Sequence, residues 1–194
     1  MEIRILKQEE IANASGLSRY VFDNCLRNRM EYVQTIAFVE QYVSAENLIK
    51  MFQEQKIILW GAFEQERLIA VSALQSDGMI TMLYVLPQYH RRGIGTELLF
   101  QMRSYARDVY GFEKVTLNAT PAWTAFYFSN KGFAFINPKK NVRVPFVPMF
   151  AVSNNISSDK KAPISGKLVA LAALGCIALA TVAGCLYMIG YIGL

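Results

Sequence analysis

The C-terminal segment of the chain, residues 168–194, contains no charged side chain, whereas every Lys, Arg, Asp and Glu lies at or before Lys167. As an α-helix this segment would be about 40 Å long at a rise of ~1.5 Å per residue. The hydrocarbon core of a bilayer is only about 30 Å thick. A buried core helix is the alternative, but core helices are rarely this long and uncharged. The segment therefore predicts a single transmembrane helix.

Residues 153–167, which precede the apolar segment, are rich in Ser and Asn and are predicted to form a flexible linker. Lys160, Lys161 and Lys167 lie on this side of the predicted helix. The positive-inside rule then predicts a domain that faces the cytoplasm from a single-pass membrane anchor. The apolar tail also resembles a GPI-anchor signal, which would require an N-terminal secretory signal peptide. The first ten residues carry no apolar stretch of that type, which argues against a GPI anchor.

Small residues recur at every fourth position of the apolar segment, at Ala172, Cys176, Ala180 and Gly184. Such a stripe lets two membrane helices approach closely. A tail rich in Ala and Gly also produces this spacing by chance, and we favour that explanation. The sequence leaves a homodimer open on these grounds.

The rest of the chain has an ordinary soluble composition. A length of 194 residues allows one domain and an appendage but is too short for two full cores. The net charge of +5 is too small to argue for nucleic acid as a partner. The cysteines, Cys25, Cys176 and Cys185, show neither a disulfide framework nor metal-ligand spacing. We expect a reducing compartment and no metal.

Apolar runs and turn residues over residues 1–152 predict a mixed α/β domain. Strands are predicted at residues 3–6, 57–63, 68–74, 79–86, 113–118, 133–136 and 142–150, and helices at 9–29, after Ser44, from Gly93 to about Tyr110, and from Pro121. The central strands are almost continuously apolar rather than alternating. Helices are therefore expected on both faces of the sheet.

One stretch combines a strand end, a glycine loop and a helix start: Leu83-Tyr84-Val85, then Arg91-Arg92-Gly93-Ile94-Gly95-Thr96. The first amides of a helix lack intrahelical partners, and with the helix dipole they form an anion site. Gly93 and Gly95 would let a diphosphate approach the backbone, and the two arginines add positive charge. A plain strand–helix connection fits these residues equally well. The third glycine of a dinucleotide-binding fingerprint and the Gly-Lys-Ser/Thr of a P-loop are missing.

A second stretch, residues 117–133, contains Asn118, Pro121, Phe126-Tyr127 and Gly132-Phe133. In this order and context the two stretches resemble the GNAT superfamily of N-acyltransferases, over about residues 1–152. The family pattern is Gln or Arg, two variable residues, Gly, one variable residue, and Gly or Ala. His90 stands where Gln or Arg is usual.

This resemblance implies acetyl-CoA as co-substrate and an acyl-CoA N-acyltransferase fold. The backbone of Leu83, Tyr84 and Val85 would pair with the pantetheine arm, leaving the thioester carbonyl near the Val85 amide. Amides from Arg91 to Thr96 would hold the diphosphate. Asn118 would contact the pantetheine, although it could instead cap the turn before Pro121.

Tyr127 would be the general acid that protonates the departing thiolate. It lies between Phe126 and Phe128, so a core position is the alternative. His90 is expected to be a solvent-facing loop residue rather than a base. No general base is identifiable; Glu31, Glu40 and Glu64 are candidates only because the acceptor side of this fold is lined by the first helices and central strands.

The resemblance favours an N-acetyltransferase that acts on a small-molecule or peptide amine. Direct attack by the amine is expected rather than a covalent acyl-enzyme, because Cys25 is far from both motifs in the sequence. A non-catalytic module that binds CoA at the membrane is the alternative. A toxin-like enzyme acting on aminoacyl-tRNA would need a concentrated basic face. Basic residues are scattered, so no nucleic acid partner is expected. The aromatic segment 29–43 fits an amine with an apolar body, but helix packing explains it as well.

Overall fold

A computed structural model of the chain describes residues 1–27, 33–119, 132–135 and 147–152. The described strands are β1 Glu2–Ile5, β2 Ile57–Glu64, β3 Arg67–Gln75, β4 Met79–Val85, β5 Lys114–Ala119, β6 Ala134–Phe135 and β7 Val147–Val152. The described helices are α1 Ile11–Val21, α2 Val33–Tyr42, α3 Ala45–Gln53 and α4 Ile94–Asp108. The strands form one sheet in the order β1-β2-β3-β4-β5-β7-β6. Within it β4 and β5 run parallel, and the other neighbours are antiparallel.

The predicted mixed α/β architecture is confirmed, and the strand bounds agree with the apolar runs to within a few residues over most of the sheet. The β2–β3 hairpin turns at Gln65 and Glu66, whose φ angles are 48° and 66°. Two positive φ angles match the twist of the flanking strands, although neither residue is a glycine. Ser44 caps α3 as predicted by accepting a hydrogen bond from the Asn47 amide at 3.3 Å.

Helix α2 is the element that sequence reasoning missed. Its ten residues are rich in β-branched and aromatic side chains, which have low helix propensity. Tertiary packing outweighs that preference, because Val39 is buried in the core. The helix predicted over residues 9–29 is also shorter than expected. It ends at Val21 and passes into a π-helical turn over Phe22–Leu26.

Both faces of the central sheet are covered. Residues 69–74 of β3 are all buried, so side chains on either side of the strand are shielded from water. On one face Trp60 of β2 packs edge-to-face on Tyr105 of α4, with ring centroids 5.4 Å apart. Helices α1 and α3 pack on each other and against β3 and β2, respectively. The expectation of helices on both faces agrees with this burial.

A β-bulge in β4 bends the strand near its middle. Met82 lies opposite Ala73 of β3, but Ile80 lies opposite Leu74, so Thr81 is an extra residue on β4. A bulge of this kind kinks its strand and increases the local twist. The parallel pairing between β4 and β5 stops at the same place, since its register contains only Met79 with Thr116 and Ile80 with Leu117.

None of the helices in the described part of the chain is long and apolar enough to cross a membrane. The predicted linker and transmembrane helix, residues 153–167 and 168–194, lie outside that part. So does the helix predicted from Pro121.

We expect Gly61→Ala to lower the free energy of unfolding by about 1–3 kcal/mol through overpacking. A Cβ at Gly61 in β2 would lie 2.5 Å from Leu6 Cδ2, 2.7 Å from Leu68 Cδ1 and 2.8 Å from Phe63 Cε2. The matched control is Gly16→Ala in α1, where a Cβ meets no atom within 4 Å. It should raise stability by about 0.5–1 kcal/mol. Urea unfolding of the full chain in detergent measures both, and a stable Gly61→Ala variant would contradict the packing.

Candidate functional site

Among the described strands, the end of the β4–β5 pairing leaves a gap with the backbone of β4 along one wall. Leu86 donates its amide to the Ile69 carbonyl of β3 at 3.0 Å, so Tyr84 and Leu86 direct their backbone groups towards β3. The alternation of an antiparallel pair then directs the N–H and C=O groups of Leu83 and Val85 away from β3, into the gap. A linear ligand that contains amides could pair with them as an added strand would, except at the Val85 carbonyl oxygen, which lies 2.8 Å from Nε2 of His90.

The side chains along this gap differ in exposure. Leu83 and Val85 are half-buried, whereas Tyr84 is 9% exposed and belongs to the core. On the opposite wall Asn118 is half-buried and directly follows Leu117, the last β5 residue that pairs with β4. The structure therefore brings Asn118 and the free edge of β4 to the two sides of one opening.

The start of α4 lies just beyond the carboxyl end of β4. The first hydrogen bond within the helix runs from the Glu97 amide to the Gly93 carbonyl at 3.0 Å. The amides of Ile94, Gly95 and Thr96 precede this bond and have no partner within the helix, and the helix dipole favours an anion there. Ile94 is buried and anchors the helix start in the core.

Gly93 is required by the backbone conformation of the loop. Its φ angle is +80°, in the left-handed region, and a Cβ built there meets no atom within 4 Å. Among the described residues, space is therefore open beside Gly93. Arg91, two residues earlier, also has a positive φ of 62°. A residue with a side chain adopts that conformation at a cost of about 1–2 kcal/mol.

Two side chains of the loop contact the sheet. The Nε2 atom of His90 lies 2.8 Å from the Val85 carbonyl oxygen, and the ring is exposed, as expected for a loop residue. The Tyr89 hydroxyl donates to Glu64 of β2 at 2.8 Å, and this bond raises the pKa of Tyr89. The guanidinium of Arg92 lies 5.0 Å from the centre of the Tyr89 ring. Both Arg91 and Arg92 are exposed.

The remaining catalytic candidates are not gathered at the gap by any described contact. Glu40 forms an ion pair with Arg27, and Glu64 accepts the Tyr89 hydrogen bond. Tyr127 and Glu31 lie outside the described residues. Cys25 lies in the π-helical turn after α1 and packs partly buried against the core.

The segment expected to face the acceptor divides into two kinds of residue. Phe38 is 48% exposed, so core packing does not explain why an aromatic residue stands at this position. The centres of the Phe38 and Tyr42 rings are 6.2 Å apart. Tyr42 packs against the core, and its hydroxyl accepts a hydrogen bond from Gln75 at 3.2 Å. Burial raises the pKa of Tyr42. Tyr32 lies outside the described residues.

Comparison with known families agrees with this geometry. A family model described as an acetyltransferase (GNAT) domain matches residues 26–152, more than half of the chain. The chain belongs to the GNAT acetyltransferase family. No curated protein sequence matches it.

Solved structures share the fold of this GNAT domain at low sequence identity. The PaiA N-acetyltransferase of Thermoplasma acidophilum, in complex with coenzyme A, is 19% identical, with a TM-score of 0.60 over 78% of this chain and 99% of that one. A GCN5-related N-acetyltransferase of Rhodopseudomonas palustris is 18% identical, with a TM-score of 0.63 over 78% and 94%. A spermidine N-acetyltransferase of Vibrio cholerae, SpeG, is 16% identical, with a TM-score of 0.53 over 79% and 95%.

Sequence reasoning missed Arg103 in α4 of the GNAT domain. This arginine is 6% exposed and donates to the Val152 carbonyl at the end of β7 at 2.5 Å. Its guanidinium lies 5.9 Å from the centre of the Phe133 ring. Burial lowers the pKa of Arg103. A basic residue on a predicted helix is expected to face solvent. Nothing in the sequence indicates that the Val152 carbonyl and the Phe133 ring, both far away along the chain, would lie beside it.

Proposed function

We propose that this GNAT domain transfers the acetyl group of acetyl-CoA to a primary amine by direct attack, while a C-terminal helix holds the domain at a membrane. The observation that carries the proposal is the free edge of β4, which leads directly to the start of α4. Backbone groups for an amide-containing arm and an anion site for phosphates thus follow one another along the chain.

Acetyl-CoA fits these residues chemically. Its pantetheine arm contains amides that can bond to the N–H and C=O groups of Leu83 and to the N–H of Val85, with Asn118 on the other side of the opening. The Val85 carbonyl oxygen is already in contact with His90. Its diphosphate is an anion suited to the amides of Ile94, Gly95 and Thr96. Arg91 and Arg92 add positive charge beside these amides. Both side chains are exposed, so water and salt screen part of their attraction for the diphosphate.

The reaction needs little from the protein beyond positioning. The amine nitrogen attacks the thioester carbonyl, whose oxygen would be stabilised by the Val85 amide. The carbon–sulfur bond breaks, and the thiolate takes a proton from Tyr127, which regains it from solvent. The attacking nitrogen loses its own proton to water. Cys25 lies in the turn after α1, and no described contact joins it to β4 or to the start of α4, so no covalent acyl-enzyme is included.

The acceptor is a small-molecule or peptide amine, and its identity requires a screen. Spermidine is a sensible first compound, because one of the similar structures is a spermidine N-acetyltransferase. Release of the free CoA thiol follows turnover with each amine. Tight CoA binding without turnover of any amine would favour the alternative of a non-catalytic CoA-binding module.

Gly95→Asp should abolish binding of acetyl-CoA, since a carboxylate at the helix start would repel the diphosphate and occupy its space. Gly16→Asp is the matched control, because it introduces the same charge at an exposed site on α1. Calorimetry measures the affinity of each variant. An unchanged affinity in Gly95→Asp would refute the assignment of the diphosphate site.

Tyr127→Phe should reduce turnover by about 10²–10⁴-fold, the usual contribution of a positioned acid, with little change in CoA affinity. Tyr20→Phe serves as the control, because Tyr20 is 52% exposed on α1. Steady-state rates with the best amine give the comparison. Equal rates for wild type and Tyr127→Phe would mean that Tyr127 is structural and that the acid lies elsewhere.

The membrane part of the proposal rests on residues 168–194, whose uncharged run favours burial in a bilayer. Lys160, Lys161 and Lys167 favour a cytoplasmic position for residues 1–152, the compartment that supplies acetyl-CoA. The full chain should therefore stay in the membrane pellet after carbonate extraction. An N-terminal tag should resist protease in intact cells and be digested once the cells are opened.

Release of the chain into the carbonate supernatant would refute the anchor. Digestion of the tag from outside intact cells would refute the orientation and leave the anchor standing.

A further inference from the structure

The loop between β4 and α4 has a conformation that it cannot hold by local preference alone. Arg91 adopts a left-handed φ of 62° without being a glycine. Backbone strain of this kind persists where the surrounding contacts determine the conformation. Tyr89 and His90, the two residues before Arg91, supply such contacts to the sheet.

The contact made by Tyr89 reaches a different part of the chain. Its hydroxyl donates to Oε2 of Glu64, 25 residues earlier at the end of β2. The guanidinium of Arg92 lies over the Tyr89 ring, 5.0 Å from its centre. Three side chains therefore form a relay from β2 through the loop to a cation one residue before Gly93. We name Glu64, Tyr89 and Arg92 the loop relay.

The charge of Glu64 makes this arrangement informative. A carboxylate close to a phosphate-binding loop weakens anion binding by repulsion, unless it contributes in another way. Here the carboxylate accepts the hydroxyl proton of Tyr89, a charge-assisted bond that is stronger than a neutral one. Its effect is to hold the aromatic ring on which Arg92 rests.

We propose that Glu64 and Tyr89 are positioning residues for the CoA diphosphate, acting through Arg92. The inference rests on the proposed function, since it assumes that the start of α4 binds CoA. Without the relay the Arg92 side chain samples many rotamers, and CoA must order it on binding. Affinity for CoA then falls, although neither Glu64 nor Tyr89 needs to touch the ligand.

The test measures binding of free coenzyme A to the full chain in detergent by calorimetry. Tyr89→Phe keeps the ring and removes only the hydroxyl, and it should weaken binding about three- to tenfold, the range for one hydrogen bond. Glu64→Ala should also weaken binding, but by no more than Tyr89→Phe does, because it removes a repulsive charge together with the hydrogen bond. Glu64→Gln keeps a hydrogen-bond acceptor and should restore most of the affinity. Tyr20→Phe, the exposed control on α1, should bind as wild type does.

Two double variants separate a relay from a general loss of structure. Tyr89→Phe combined with Glu64→Ala should bind no more weakly than either single variant, because both remove one bond. In an Arg92→Ala background, Tyr89→Phe should cause no further loss, because the group that it positions is gone. Thermal unfolding of each variant shows that the domain is intact.

The proposal is overturned if Tyr89→Phe and Glu64→Ala bind CoA as wild type does, if Glu64→Gln is as weak as Glu64→Ala, or if the effects of Tyr89→Phe and Arg92→Ala add. Failure of the wild-type protein to bind CoA is a different result. It would refute the proposed function itself, and the positioning role with it.

Discussion

The candidate site depends on the short length of the pairing between β4 and β5. Their parallel pairing covers Met79 and Ile80 and then stops at the Thr81 bulge. Beyond that point β5 continues along β7, whereas β4 has only β3 as a neighbour among the described strands. Unpaired backbone groups in the middle of a sheet are costly unless something bonds to them. An opening of this kind is therefore suited to a ligand with its own amides.

The elements around the opening support it from both sides. Buried residues of β3 and the packing of Trp60 on Tyr105 hold β4 and α4 in a fixed relation. The start of α4 consequently lies at the end of the free edge, with Gly93 in the left-handed conformation that the turn requires. Rigid elements on both sides mean that a ligand along β4 meets the helix start without rearrangement of the core.

Local patterns predicted much of this correctly. Apolar runs marked β2, β3 and β4, and a glycine after a buried strand marked the start of α4, because both are properties of neighbouring residues. Helix α2 escaped prediction, since its β-branched residues oppose a helix that only tertiary packing stabilises. The Tyr89–Glu64 bond and the buried Arg103 escaped for the same reason: each depends on partners far away in sequence.

The sequence by itself determined the family, the order of the strands and the place of the glycine loop, because these follow from short-range patterns of apolar residues, turns and motifs. It also determined the uncharged character of residues 168–194. Only the tertiary structure decided which backbone groups of β4 lack a partner on a described strand, since that depends on where a bulge ends the pairing with β5. It alone decided how Arg92 is held, because the Glu64 carboxylate reaches the loop through the folding of the sheet.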